Sequence, residues 1–213
     1  MSMPPPISQV INDSLAAVRA DAHHHLELGA RQTVLAALGP ALDPSVPFGG
    51  RGHQRRTMLD ITTVQHILPL WQAVWPDDDS PQEVLAEADH ALRGTASAEE
   101  DVRSSILWLW TVFDDFTLDD GDQHPSQSLV LFAAIKALCR AFNDQGFDPT
   151  RIDPRATDGH TPPRSTDAAF DASVAYADGV PWDQTSHDAR RLEFWEWWLT
   201  QAVPAAWEAV PER

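Results

Sequence analysis

The sequence predicts an all-α protein, a compact bundle of about seven or eight helices wrapped around two apolar central ones. Three observations carry this reading. Gly and Pro fall in clusters that cut the chain into segments of helical length. Between the clusters, apolar residues recur at three- and four-residue steps. Alternating β-branched runs, the mark of strands, are scarce. At 213 residues, 23.6 kDa and 43% hydrophobic content, the chain is expected to form one domain over 1–213. A monomer of this mass exposes roughly 9,800 Å² and buries about 70% of its unfolded surface, so no metal or disulfide staple is needed.

The elements follow in order. After Pro4-Pro5-Pro6, the residues Ile7, Val10, Ile11, Leu15 and Val18 share one helix face. A second helix is predicted from Gln32 to Leu38, stopped by Gly39-Pro40, and Asp43 to Gly50 has loop composition. A long helix follows from about Gly52 to Val74, with Leu59, Thr63, Ile67, Leu70, Trp71 and Val74 in step and a kink expected at Pro69. The turn Trp75 to Pro81 leads into a helix over Gln82 to Arg93, with Ser80 placed to cap it and Pro81 at its first position. Ser97, Glu99, Glu100 and Asp101 then open a helix that is apolar from Val102 to Phe116, the acids lying where the helix dipole favours them. A second apolar helix spans about Ser126 to Phe142, and these two are the expected centre. An irregular loop is predicted at about 146–166, too long to be a simple connection and therefore either functional or disordered. Helix resumes from about Ser165 to Tyr176, breaks at Gly179-Val-Pro181, and returns at His187 for a terminal helix running past Pro204.

Charge narrows the function. Thirty-two acidic and fifteen basic side chains give −17, which repels phosphate and argues against nucleic acid and anionic membranes as partners. A basic protein partner is favoured. The lone Cys139 makes an internal disulfide impossible and fits a reducing compartment. No apolar run reaches the ~18 residues of a membrane span, and Met1 to Pro6 lacks the layout of a secretory signal. The expected location is the cytoplasm.

Seventeen net charges spread evenly would leave about one or two on a face of about 800 Å², so charge can define an interface only where it clusters. Asp114, Asp115, Asp119, Asp120 and Asp122, followed by His124, form the densest cluster. It reads as a solvated loop, a partner-binding patch or a metal site. The spacing of a calcium loop fails, because counting from Asp119 puts glycine third and Val130 twelfth. Asp77, Asp78 and Asp79 form a second partner-binding candidate. His23-His24-His25 looks like a metal tract, but neighbours on a helix point about 100° apart and cannot converge on one ion. A structural or solvent role is expected. The basic cluster Arg51 to Arg56 is expected to meet internal carboxylates. Cys139, within an apolar helix, is expected to be a buried inert thiol. No Gly-x-Ser-x-Gly, phosphate loop or His-Glu-x-x-His is present. No catalytic residue, metal or cofactor is assigned.

The C-terminal segment is the most individual. It reads Pro181-Trp182, then Arg190-Arg191-Leu-Glu-Phe194-Trp195-Glu-Trp197-Trp198-Leu199, then Ala202-Val-Pro-Ala-Ala-Trp207. On a helix Leu192, Trp195, Leu199 and Ala202 share a face with Trp198 at its edge, while Arg191, Glu196 and Trp197 lie elsewhere. Arg190 or Arg191 can pair with Glu193, Glu196 or Asp183. Three tryptophans in four residues point in three directions, so one must meet a second element or stay exposed as an anchor. For Trp197 core and interface remain equally open.

At these residues the chain resembles the all-helical immunity proteins of bacterial polymorphic toxin systems, in particular the family numbered five. Ile67-Leu-Pro-Leu-Trp71 with Trp75-Pro-Asp-Asp78 is similar to related immunity-like domains. The resemblance implies an immunity-type domain without catalysis, which binds a cognate toxin encoded beside it and blocks its active site or a required surface. Carboxylates would stand where a basic cleft expects phosphates. Trp182, Arg190, Arg191, Phe194, Trp195, Trp198 and Trp207 would be scaffold, with toxin contacts in the acidic loops and at Trp197. Two alternatives stay open. One is a metal-dependent helical hydrolase using Asp114 to His124. The other is a helical adaptor or homodimer associating through exposed members of the nine tryptophans.

Overall fold

Every regular element among the described residues of the computed structural model, which are 3, 5–39, 50–94, 111, 124–142, 147–159 and 166–210, is helical. The order is α1 (Pro5–Ala20), α2 (Leu28–Ala37), α3 (Arg51–Val74), α4 (Ser80–Leu92), α5 (Pro125–Phe142), a 3-10 turn (Pro149–Arg151), α6 (Ala168–Ala177), α7 (Asp188–Trp197), a π-helical turn (Trp198–Ala202) and α8 (Val203–Ala209). Of the two expected central helices, the one over Val102 to Phe116 lies outside the described residues apart from Thr111, which is helical. The predicted 43–50 loop lies outside them too, except for Gly50.

Helix α5 packs against α3, α4 and α6, and every residue from Val130 to Leu138 is buried. The one charged side chain in that stretch, Lys136, reaches Asp171 and Thr166 on the α6 side. Helix α6 can approach this closely because its buried positions include Ala168, Ala169, Ala172 and Ala175. It starts at Ala168, not Ser165, because the Asp167 side chain accepts from the Phe170 amide at 2.8 Å and caps the first turn. Helix α1 buries Ile7, Ile11, Leu15 and Val18, the face its spacing predicted.

Helix α3 runs through Pro69 to Val74 and buries Leu59, Thr63, Ile67 and Trp71. Ser80 does not cap α4. It is the first residue of the helix, and Asp78 fixes the turn leading into it by accepting from the Ser80 amide at 2.8 Å and the Ser80 hydroxyl at 2.5 Å. The terminal helix is continuous but widens at Trp198–Ala202, where the Val203 amide donates five residues back to the Trp198 carbonyl. Pro204 explains the widening: it has no N–H to give the Thr200 carbonyl, and an α-helical ring there would clash with it.

One expectation about charge is corrected and another is extended. The His23-His24-His25 tract is not helical, because α1 ends at Ala20. Asp21 folds the tract into a turn by accepting from the His23 amide at 2.9 Å and the His25 amide at 3.0 Å. The buried arginines of the Arg51–Arg56 cluster also bond to backbone carbonyls, partners the sequence did not suggest: Arg55 donates to Leu38 and Val210, and Arg56 to Leu35 and Gly39. The Leu35, Leu38 and Gly39 oxygens lie at the C-terminal end of α2, whose last carbonyls lack intrahelical donors. Their partial negative charge favours a cation there. Cys139 is half-buried, more exposed than expected. Among the described residues no helix is long and apolar enough to cross a membrane.

Candidate functional site

The residues of the predicted irregular loop that are described, 147–159 and Thr166, are built into the fold. Asp158 is buried and meets three partners. Both its oxygens accept from the guanidinium of Arg31, at 2.8 and 2.7 Å, and Oδ2 lies 2.9 Å from His25 Nε2. Arg31, fully buried on α2, also donates to Asp167 at 2.9 Å and to the Leu26 carbonyl at 2.6 Å. Burial pushes the Asp158 carboxyl up, but the hydrogen bonds from Arg31 and His25 outweigh it and hold the group far below the usual carboxylate range. Glu27 accepts from the Asp158 amide at 3.0 Å. His25, Glu27 and Asp158 are close enough to share a metal ion, yet the donor set does not suit one. Arg31 already occupies both oxygens of Asp158, and its fixed charge would oppose a cation. This cluster ties α2, the 147–159 segment and the start of α6 together.

The acidic candidates divide. Asp114, Asp115, Asp119, Asp120 and Asp122 lie outside the described residues. Asp78 is tied inward, its side chain to Ser80 and its carbonyl to the Trp71 indole N–H at 2.8 Å. Asp77 and Asp79 are exposed. Trp75, two residues before Asp77, meets the ring of His124, two residues after Asp122, edge-on at 5.7 Å. A contact between residues flanking both acidic stretches could not be read from the sequence.

The tryptophan motif divides as well. Arg191 is fully buried and donates to Asp188 at 2.8 Å, to the His23 carbonyl at 3.0 Å and to the Gly179 carbonyl at 2.9 Å. It thus clamps α7 to the turns after α1 and α6, although it was expected to lie away from the buried face. Burial lowers its pKa, and Asp188 works against that. Phe194, Trp195 and Trp198 are buried, the last donating from its indole to Thr63 at 3.0 Å. Trp207 is buried with the Arg55 guanidinium 3.3 Å from its ring centre. Trp182 differs from these: it is 58% exposed, with the Phe170 ring 6.3 Å away. Arg190 is exposed over the Tyr176 ring. Glu196 pairs with Arg19 at 2.7 Å, a partner from α1 that the local spacing did not suggest.

Trp197 is half-buried and stacks on His66 of α3, ring centres 3.6 Å apart and planes 10° from parallel. His66 is in turn stacked on Tyr176 at 5.5 Å. Burial lowers the His66 pKa, with Glu193 pulling the other way. Beside this stack opens a groove of about 460 Å³ lined by His66, Ala189, Leu192, Glu193, Glu196, Trp197, Thr200 and Gln201. His66 is a residue that sequence reasoning missed, since a single histidine in the long α3 helix carries no local signal. Lys136 did carry one, because an ammonium inside an apolar run demands a partner.

The arrangement offers surfaces and fixed charges, and its ionisable groups that are buried are bonded into the scaffold. Among curated proteins none matches the chain. The family model of the immunity protein Imm5 matches residues 11–205, nearly the whole chain and all of the motif from Trp182 to Val203, and the chain therefore belongs to the Imm5 family of immunity proteins.

Proposed function

We propose that this protein neutralises a cognate toxin by binding it and covering its active site or a required surface, with acidic loops meeting a basic face and no chemistry of its own. Membership of an immunity family carries this reading. The distribution of charge supports its electrostatic side. Buried among the described residues are five cations, Arg31, Arg55, Arg56, Lys136 and Arg191, against three anions, Asp60, Asp158 and Asp171. The rest of the chain therefore carries two more negative charges than the formal −17. The Trp75–His124 contact joins the chain just before Asp77 to the chain just after Asp122, which supports treating Asp77, Asp79 and the Asp114–Asp122 segment as parts of one partner-facing region.

The test is co-expression with the toxin encoded by the adjacent gene. Growth should be rescued by the wild-type protein and lost when Asp114, Asp115, Asp119 and Asp120 are changed together to Asn. Rescue and affinity unchanged in that variant would reject the acidic face. Turnover by the purified protein, dependent on an added divalent metal and abolished by one Asp change in the same segment, would reject the binding reading in favour of hydrolysis.

A further inference from the structure

The groove beside Trp197 has a chemistry of its own. One wall is the Trp197–His66 stack. The carboxylates of Glu193 and Glu196 stand one turn apart on α7, and Thr200 and Gln201 come from the π-helical turn that Pro204 imposes. Among the described residues its lining includes no lysine or arginine, and Arg19 reaches it only at the rim. Burial holds His66 toward its neutral form, so the histidine adds little positive charge beside Glu193, while Glu196 is shared with Arg19 at the rim. Resting on the toxin-binding reading above, we propose that this groove receives an arginine side chain of the toxin, the guanidinium lying against the Trp197 ring and hydrogen-bonding to Glu193 and Glu196.

Four observations support that occupant. A guanidinium is the side chain that can stack on an aromatic face and bond a carboxylate in its plane at once. The groove already holds one at its rim, where Arg19 meets Glu196 at 2.7 Å with both groups partly in water. An exposed pair of that kind is weak and can be exchanged for an incoming donor. The wall is also set before binding, because Trp197 is fixed by His66, and His66 by Tyr176. Little side-chain freedom is then lost on association. Phosphate-bearing ligands are repelled by Glu193 and Glu196, and a second copy of this chain would bring another −17 against the same acidic surface. A basic protein is the partner whose charge fits.

The experiment uses the full chain and the toxin domain encoded by the adjacent gene, inactivated at its catalytic residue, with association and dissociation followed by surface plasmon resonance. Three groove variants, Glu193→Gln, Glu193→Arg and Gln201→Arg, change exposed positions, and their thermal melts should match the wild type. Asp153→Arg, an exposed site on the 147–159 segment, supplies the same charge change elsewhere. Glu193→Arg and Gln201→Arg should each weaken binding about 10-fold or more, mainly through faster dissociation, and Glu193→Gln about 3-fold or more, with Asp153→Arg under about 3-fold. If the wild type binds and the groove variants bind within about twofold of it, or if Asp153→Arg weakens binding as much as Glu193→Arg, the groove is not the contact. If the wild type itself fails to bind, the neutralising reading falls and the groove assignment with it.

Discussion

Changing Asp158 to Asn should be among the most destabilising single substitutions in this protein, although it removes only a charge and keeps the shape. The native carboxylate is fully buried and accepts two hydrogen bonds from Arg31 and one from His25. Asparagine retains one acceptor oxygen and turns an N–H₂ group toward a guanidinium that is itself 0% exposed. Arg31 keeps Asp167 and the Leu26 carbonyl, so its charge is not orphaned outright. It loses the bidentate partner, however, which is the stronger type of pairing. Breaking one partner of a buried pair costs about 3–5 kcal/mol. For a chain of this size each kcal/mol moves the melting temperature by about 2–4 °C, so a fall of roughly 6–20 °C is expected. Urea denaturation followed by tryptophan fluorescence measures the free energy directly, with Asp77→Asn as an exposed control expected within about 0.5 kcal/mol of wild type. A loss below about 1 kcal/mol for Asp158→Asn would refute the view that this ion cluster fastens the 147–159 segment.

Other outcomes follow from the same geometry. Because the folded Asp158 pKa is depressed, its contribution is present above the unfolded value near 3.8 and lost as pH falls below it. The wild type should therefore lose its advantage over Asp158→Asn in urea melts below about pH 4. Asp171, raised by burial to about 6 against the pull of Lys136, has the opposite sign and gives up stability as pH rises between about 4 and 6; Asp171→Asn should flatten that part of the profile. Gly29→Ala should cost about 1–3 kcal/mol or more in the same assay, since a Cβ there would come within 2.5 Å of the Asp153 carbonyl oxygen and the Pro154 backbone. Trp198→Ala should cost about 3–5 kcal/mol and Trp182→Ala under about 1, the first being buried and bonded to Thr63 and the second 58% exposed. Equal losses would mean that the exposed ring has a packing role. Association with the toxin should slow several-fold between low salt and about 0.15 M while dissociation changes little; a salt-sensitive dissociation rate alone would show that charge does not guide encounter.

How much was legible depended on the range of the interaction that decides each feature. The α1 face and the buried α5 helix are written in local periodicity, and Ile7, Ile11, Leu15 and Val130 to Leu138 lie inside as their spacing requires. The carbonyl partners of the arginines left no mark in the sequence: Arg55 and Arg56 look like cations in search of acids, and they also close the end of α2. The His25–Asp158 pair is separated by 133 positions, and no local rule links a histidine tract to an aspartate in an irregular loop. Pro204 was visible, but the π turn before it follows only if the helix stays continuous through the proline, which packing decides. The exposure of Trp182 was hidden by its place in a motif whose other aromatic members are mostly buried.

The inward arginines also bear on why so acidic a chain folds at all. Like charges on a compact surface oppose compaction, and drawing cations inside would worsen that unless they bonded to something already inside. Helix C-termini and turns supply it: the carbonyls of Leu26, Leu35, Leu38, Gly39, Gly179 and His23 each accept from a buried arginine. Each such bond satisfies an acceptor that would otherwise need water and pins two elements together. The same residues thus stabilise the frame and leave its exterior anionic. Replacing Arg55 or Arg56 by lysine should accordingly weaken the fold without altering net charge, since one ammonium cannot reproduce a planar fork spanning two carbonyls. A melting temperature unchanged by Arg55→Lys would mean that charge alone, not the geometry of the donor, holds α3 to the ends of α2 and α8.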